Sequence, residues 1–432
     1  MRLPFFYGWV IVAIGFVTMA LGVNARTAFS LLFPPIIEEF GWQRATTAGA
    51  FSFGFLVSAF LGPLLGKLMD RFGPRVVIEI GVGSVGIGLL LAAFVSQPWH
   101  LYVTLGMLVG AGSSFLGYTG QALFLPNWFV RRRGLAISIA FSGAGASIVF
   151  LPVVQRLIDH YGWRTTCVAM GVLVLVVLAP INLALRKRPE DIGLLPDGDS
   201  AAAAATAAQP SNVVDAAWTA IDWTLARAAR TARFWWIASG YAAAMFAWYA
   251  VQVHQTKYLT EIGFSASYAA WALGFVSLVA IPGQIALGHL SDRIGREWVW
   301  MIGCLGFAIC YGALVLMGRV PSNALLWTMV IAQGFLGYAL TSVIGAIPAE
   351  IFQGRHFGSI LGTLMGLGVI GGAAGPWVTG LAYDLSGSYA VAFGLAIALC
   401  CFSALAIWLA GPRQIRAVAG RVLLTPQFGA KQ

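Results

Sequence analysis

Twelve apolar runs, each long enough to cross a lipid bilayer, leave this chain few ways to fold. Spanning the hydrocarbon takes about 20 helical residues. Runs of that length fall near 7–32, 46–66, 76–96, 100–126, 134–156 and 165–185, then near 234–258, 266–288, 298–318, 323–349, 357–380 and 389–410. In lipid the backbone must satisfy its own polar groups, so each run is expected to be a helix. The fold class expected is an all-α membrane protein with twelve transmembrane helices in two pseudo-symmetric six-helix bundles. Composition points the same way. Charged residues make up 10% of the chain and mean hydropathy is +0.82, whereas a soluble domain carries about 25% charged residues. The 52 glycines suit helices that pack by close backbone approach. The opening MRLPFFYGWVIV has no small-residue cleavage site after it and reads as a first membrane helix, not a removable signal. The cysteines Cys167, Cys304, Cys310, Cys400 and Cys401 lack metal-ligand spacing and read as small hydrophobes, so no cofactor or metal is expected.

The net charge of +10 does not imply nucleic acid, because the basic residues collect in alternate loops. Lys67, Arg71, Arg75, Arg131, Arg132, Arg133, Arg186, Lys187, Arg188, Arg227, Arg230, Arg293, Arg296 and Arg355 all fall on one side of the expected bundle. The positive-inside rule makes that side cytoplasmic, which predicts both termini inside a bacterial-type inner membrane. The expected domains are an N-terminal six-helix bundle over 1–188, a cytoplasmic linker over 189–232, and a C-terminal bundle with a short tail over 233–432. The linker is low in complexity through PDGDSAAAAATAAQP. It ends with Arg227, Arg230 and Arg233 beside Trp223, Trp235 and Trp236, a pattern that predicts an interfacial helix.

The two halves repeat. Residues 41–75 align without gaps to 263–297, an offset of 222 (263 minus 41), pairing Gly66 with Gly288 and Asp70-Arg71 with Asp292-Arg293. Arg75 and Arg296 correspond one place out, Phe115-Leu116-Gly117-Tyr118 recurs as Phe335-Leu336-Gly337-Tyr338, and Gly134 recurs as Gly358. Parallel repeats of this kind are a transporter architecture, with the solute site between the halves. Gly66 and Gly288 are expected to end the second and eighth helices tightly. The charged turns that follow, with Asp70, Arg71, Arg75, Asp292, Arg293 and Arg296, are expected to latch one conformation. A solvated turn that merely obeys the charge rule is the plainer alternative.

Gly66 through Arg75 resembles the loop signature of the major facilitator superfamily, and Gly288 through Arg296 resembles its second copy. NARTAFSLLFPPIIEEFGWQRA and RPEDIGLLPDGD further resemble the monocarboxylate porter and oxalate–formate antiporter branch. That resemblance implies small organic acids as cargo, carried with protons or in exchange. It also implies a binding role for Arg26, which falls where those porters carry a first-helix Lys. The chain departs from them in its eighth helix, where Phe275 to Pro282 has neither the Asp nor the Arg of the porters. It departs again at 357–380, which lacks the Lys of the oxalate exchangers.

Arg26 is the sharpest binding candidate on chemistry alone. A cation within an apolar helix costs about 3 kcal/mol and normally faces a cavity or a partner, and guanidinium fits a carboxylate with two parallel bonds. Snorkelling to the headgroups is its alternative. Asn24, Tyr118, Gln121, Trp248, Tyr249, Gln252, His254, Tyr338, Thr341 and Ser342 are the polar and aromatic residues expected to complete the cavity. His254 is also the proton-coupling candidate, with Lys257 on the same helical face. Glu350 is expected to pair with Arg355. No acid lies deep in a helix, which disfavours a cation exporter. The expected partners are a small carboxylate, protons and the bilayer, with the chain acting as a monomer. The rivals are a carrier or exporter of a neutral or amphipathic solute, and a transporter-like solute receptor. No GxxxxGK[ST], HExxH or nucleophile elbow is present, so neither an ATP-driven pump nor an enzyme is expected.

Overall fold

The computed structural model describes residues 6–42, 44–146, 151–198 and 212–418. The low-complexity linker stretch 199–211 and everything after Val418 lie outside the described residues, as does the Lys257 side chain. The described chain is helical. α1 (Gly8–Thr27) runs almost directly into α2 (Phe29–Phe40), and α3 (Arg44–Ala92) holds the second and third expected spans. α4 (Pro98–Asn127), α5 (Arg133–Ala146) and α6 (Leu151–Leu173) complete the first half. The second half comprises α7 (Ala232–Glu261), α8 (Ala266–Ile294), α9 (Arg296–Met317), α10 (Asn323–Ile351), α11 (Phe357–Ser386) and α12 (Ala390–Ala410).

Chain reversals fall where glycine permits them. α3 turns at Gly73 (φ 75°) and α6 at Gly162 (φ 76°), both in the left-handed region that strains other residues. Among the described residues nine helical segments are long and apolar enough to span a membrane. Phe53–Ala92, at 40 residues, holds two of the expected runs. α5 and the start of α6 flank residues 147–150, which lie outside the described residues, so the expected count of twelve is not completed directly. Large apolar side chains such as Phe60, Phe94, Val176 and Leu385 are exposed on the flanks, as a lipid-facing surface requires.

Two expectations about the ends need correcting. Gly66 and Gly288 do not end their helices, which continue to the turn at Gly73 and to Ile294. They are instead contact points between halves. A Cβ on Gly66 would sit 2.1 Å from the Gly358 carbonyl oxygen, and one on Gly288 would sit 1.6 Å from Ser138 Oγ. The expected interfacial helix is two single turns, Ala216–Thr219 and Leu225–Ala228, docked on the second half. Trp218 donates to the Ile351 carbonyl (2.8 Å), and Trp223 packs edge-on against Phe352. Trp235, by contrast, stays exposed on the first turn of α7.

The opposite end of the first half is held by Arg164 at the start of the sixth span. Its guanidinium pairs with Glu39 and donates to the carbonyls of Ala93 (3.1 Å) and Val95 (3.3 Å). Trp163 Nε1 donates to Glu39 as well (2.7 Å). One side chain thus joins the exit of α2, the end of α3 and the sixth span.

Candidate substrate site

Around each copy of Phe-Leu-Gly-Tyr the regular α-helix is interrupted, though in different ways. In α4 a π-helix over Tyr102–Ala111 gives way to a short turn, and Gly117 is extended (φ −85°, ψ −158°) before Tyr118. In α10 a π-helix over Ala332–Gly337 ends at Tyr338, whose amide donates to the Gln333 carbonyl (3.1 Å). Such interruptions re-aim side chains out of helical register and are common at functional sites. Here they aim two phenols at the seam between halves.

Arg26 lies at the same seam. Its guanidinium stacks on the ring of Phe55, 3.6 Å from the centroid. Phe55 meets Tyr249 of α7 edge-on at 5.7 Å, so an Arg–Phe–Tyr stack crosses from the first half to the second. Tyr249 is within electrostatic reach of Arg26, Tyr118 and Tyr338. Trp248 leans on Tyr338 (4.2 Å) and Phe307 (5.4 Å), and Tyr118 packs edge-on against Phe141 (5.1 Å). Gly372 of α11 leaves the space that the Tyr249 ring occupies, since a Cβ there would lie 2.6 Å from it. None of the hydroxyls of Tyr118, Tyr249 and Tyr338 makes a hydrogen bond to any described residue. Three phenols whose hydroxyls bond to no described residue thus lie within electrostatic reach of one another, and Tyr249 among them within reach of Arg26.

Other expected lining residues are engaged elsewhere. Thr341 Oγ1 donates to the Tyr338 carbonyl (2.7 Å) and Ser342 Oγ to the Gln284 carbonyl (3.0 Å). Gln121 is fully buried, donating to the Leu116 carbonyl (3.3 Å) with its oxygen against Gly15 of α1. Asn24 is buried on α1, and Gln252 is exposed on α7. His254 has partners on α11 and α12. Its Nε2 donates to the Pro376 carbonyl (2.9 Å), which can only accept, leaving Nδ1 to accept from Tyr389 Oη (3.4 Å).

At the end that carries the charged turns, the halves interlock. Asp70 accepts from the backbone N–H groups of Gly358 and Ser359 (both 2.9 Å) and from Ser359 Oγ (3.1 Å) at the start of α11. Asp292 accepts from those of Gly134 (2.9 Å) and Leu135 (3.1 Å) at the start of α5. Each carboxylate caps a helix N-terminus of the opposite half, where the helix dipole favours negative charge. Arg296 bridges Asp292 (2.6 Å) and Glu350 (2.8 Å) in a buried trio, so Glu350 pairs with Arg296 and not with Arg355, which is exposed. Arg71, Arg75 and Arg293 are exposed, and Lys187 reaches in to donate to the Asp70 carbonyl (2.7 Å). Sequence reasoning missed Phe55, whose partner is 29 residues away on another helix (55 minus 26). It also counted Arg133 only as a loop charge, although it is buried and donates to the carbonyls of Pro126 (3.1 Å) and Phe129 (3.0 Å).

The sequence matches the Major Facilitator Superfamily over residues 12–344 and again over 237–423. It is 27% identical over 400 residues to monocarboxylate transporter 13 of Rattus norvegicus, covering 90% of this chain and 86% of the rat protein. It is 26% identical over 424 residues to monocarboxylate transporter 12 of Homo sapiens, covering 92% and 78%. The fold is similar to that of the proton:xylose symporter XylE (TM-score 0.70, 14% identity, 93% of this chain and 95% of that one). It is also similar to that of the human organic anion transporter MFSD10 (TM-score 0.70, 17% identity, 95% and 100%). Paired loop carboxylates, duplicated helix breaks and these matches agree: this chain is a membrane transporter, not an enzyme, and belongs to the Major Facilitator Superfamily.

Proposed function

We propose that this transporter moves a small organic monoanion by alternating access, with Arg26 as the carboxylate-binding group. The observation that carries the reading is Tyr249, which lies within electrostatic reach of Arg26 on one side and of Tyr118 and Tyr338 on the other, three phenols that donate to no described residue. A carboxylate accepts several hydrogen bonds at once, and charge-assisted ones are the strongest available. The likeness to proteins named monocarboxylate transporters supports the same cargo. Both walls of the site come from one chain, which supports a working monomer.

The Lys and Arg bias puts the capped end and both termini on the cytoplasmic face of a bacterial-type inner membrane. On that sidedness the conformation described is closed inward, with Asp70 and Asp292 as latches released when the halves rock. His254 is the group for proton coupling. Protonation turns its Nδ1 from acceptor to donor towards Tyr389, repacking α7 against α12. The test is uptake of labelled monocarboxylates into liposomes with an imposed proton gradient, for wild type and His254→Gln. Acid outside should drive wild-type accumulation, and the variant should lose the drive but keep exchange. Uptake of neutral solutes and of no acid would refute the reading.

A further inference from the structure

After α12 the chain folds back on the protein. Gly411 turns it in the left-handed region (φ 62°), and residues 412–418 run as a strap over the end of the second half that carries Glu350. The strap pairs with the linker in a short antiparallel bridge, Val213 opposite Arg416. The amides of Val214 (2.9 Å) and Asp215 (3.3 Å) donate to the Ile415 carbonyl, and the Ala417 amide donates to the Asn212 carbonyl (2.7 Å). Ile415 is fully buried, and Arg233 of α7 donates to Gln414 Oε1 (3.1 Å). Both strands bear on the last turn of α10. On the linker side Asp215 caps the turn that holds Trp218, which donates to the Ile351 carbonyl, while Trp223 packs on Phe352. On the tail side a cavity of about 70 Å³ separates Arg413, Arg416 and Val418 from Glu297 and Glu350.

Glu350 lies within electrostatic reach of three arginines, Arg133, Arg296 and Arg416, and the last of these belongs to the strap. Glu350 also accepts from Arg296, Arg296 pairs with Asp292, and Asp292 accepts from the Gly134 and Leu135 amides of the first half. A run of contacts and charges thus leads from the tail to the cap that joins the halves. We propose that the strap and the linker form a self-inhibitory clasp: docked, it fixes Glu350 and through Arg296 the Asp292 cap, and so holds this end of the transporter shut; released, it lets the halves part there. The inference rests on the alternating-access reading above, in which the two caps are latches. The latch is the two-state element, and the clasp biases it by touching only its closed form. A tail that merely covers apolar surface would leave the cap indifferent to its release.

Hydrogen exchange of the full chain in lipid nanodiscs, read by mass spectrometry, tests this. Ile415→Asp puts a charge in the buried seat, and Ala417→Pro removes the 2.7 Å donor; having two variants guards against one that fails to fold. Peptides over 212–218 and 412–418 report docking, and a peptide over 133–141 reports the cap. In either variant the docking peptides should exchange quickly and the cap peptide about tenfold faster than in wild type, the size of an ordinary coupling between sites. Asp70→Asn, which weakens the other latch directly, is the reference. Fast docking peptides beside an unchanged cap peptide, while Asp70→Asn speeds the cap, would overturn the clasp alone. A cap peptide unchanged in Asp70→Asn as well would overturn the latch reading beneath it. Docking peptides that stay protected in both variants would also overturn the clasp, since the bonds that define it would not be what holds the strap.

Discussion

Replacing Asp70 with Asn should loosen the closed end by an amount that can be worked out in advance. The carboxylate takes three hydrogen bonds from the opposite half: the amides of Gly358 and Ser359 at 2.9 Å and Ser359 Oγ at 3.1 Å. Asn has the same shape but one acceptor oxygen, and its NH2 would face a donor. Hydrogen bonds to charged groups are worth about 1.5–3 kcal/mol and neutral ones about 0.5–1.5 kcal/mol. Charge at a helix N-terminus adds about 0.3–1 kcal/mol. Asp70 is half-buried, so water recovers part of the loss, and about 2 kcal/mol remains, a shift of about 30-fold between closed and open. Ser138 provides a distant reporter, since it is fully buried against Gly288 on the other helix pair. In a background lacking native cysteines, Ser138→Cys should react with a hydrophilic maleimide about 30-fold faster once Asp70→Asn is added. A rate unchanged within about twofold would refute the claim that Asp70 holds this end shut.

Gly66→Ala should act in the same direction, because its Cβ would meet the Gly358 carbonyl at 2.1 Å and backbone cannot yield cheaply. Gly83→Ala, with open space around the new Cβ, should label at the wild-type rate and serves as the control. Tyr118→Phe, Tyr249→Phe and Tyr338→Phe each remove one donor to a bound carboxylate and should each weaken binding about tenfold, read by calorimetry. At the other end, Arg164 holds the Glu39 carboxyl below its ordinary value of 4.5. The stability this pair adds is therefore complete above about pH 4.5 and is lost as pH falls through the lower folded value. Both side chains are well exposed, so the effect is about 1 kcal/mol or less. Thermal midpoints should hold from pH 7 to about pH 5 and then drop, less steeply in Glu39→Gln.

The spans were legible because a bilayer imposes one length and one chemistry, and α8 to α12 begin within a few residues of the apolar runs that announce them. The helix containing Gly66 ran on to the turn at Gly73 because small residues in lipid mark close approach as often as termination. The repeat named Asp70 and Asp292 as a pair but could not reveal that each caps the helix of the other half, 288 and 158 residues away (358 minus 70, 292 minus 134). Arg26, Tyr118, Tyr249 and Tyr338 stood out as polar or duplicated residues at mid-span, and Tyr249 lies within electrostatic reach of the other three. Thr341 and Ser342 stood out for the same reason and turned to backbone carbonyls instead, a choice that helical spacing leaves open. Phe55 carried no mark among 28 phenylalanines; only its place under the guanidinium distinguishes it.

The most direct test of the central claim compares uptake of a monocarboxylate panel into liposomes by wild type, Arg26→Lys and Arg26→Ala. If Arg26 binds the carboxylate, wild type takes up at least one acid, Arg26→Lys keeps a weakened share, and Arg26→Ala falls to the level of empty liposomes while remaining folded. Arg26→Ala transporting the same acid at the wild-type rate would contradict the account, leaving a transporter of this superfamily whose binding site lies elsewhere.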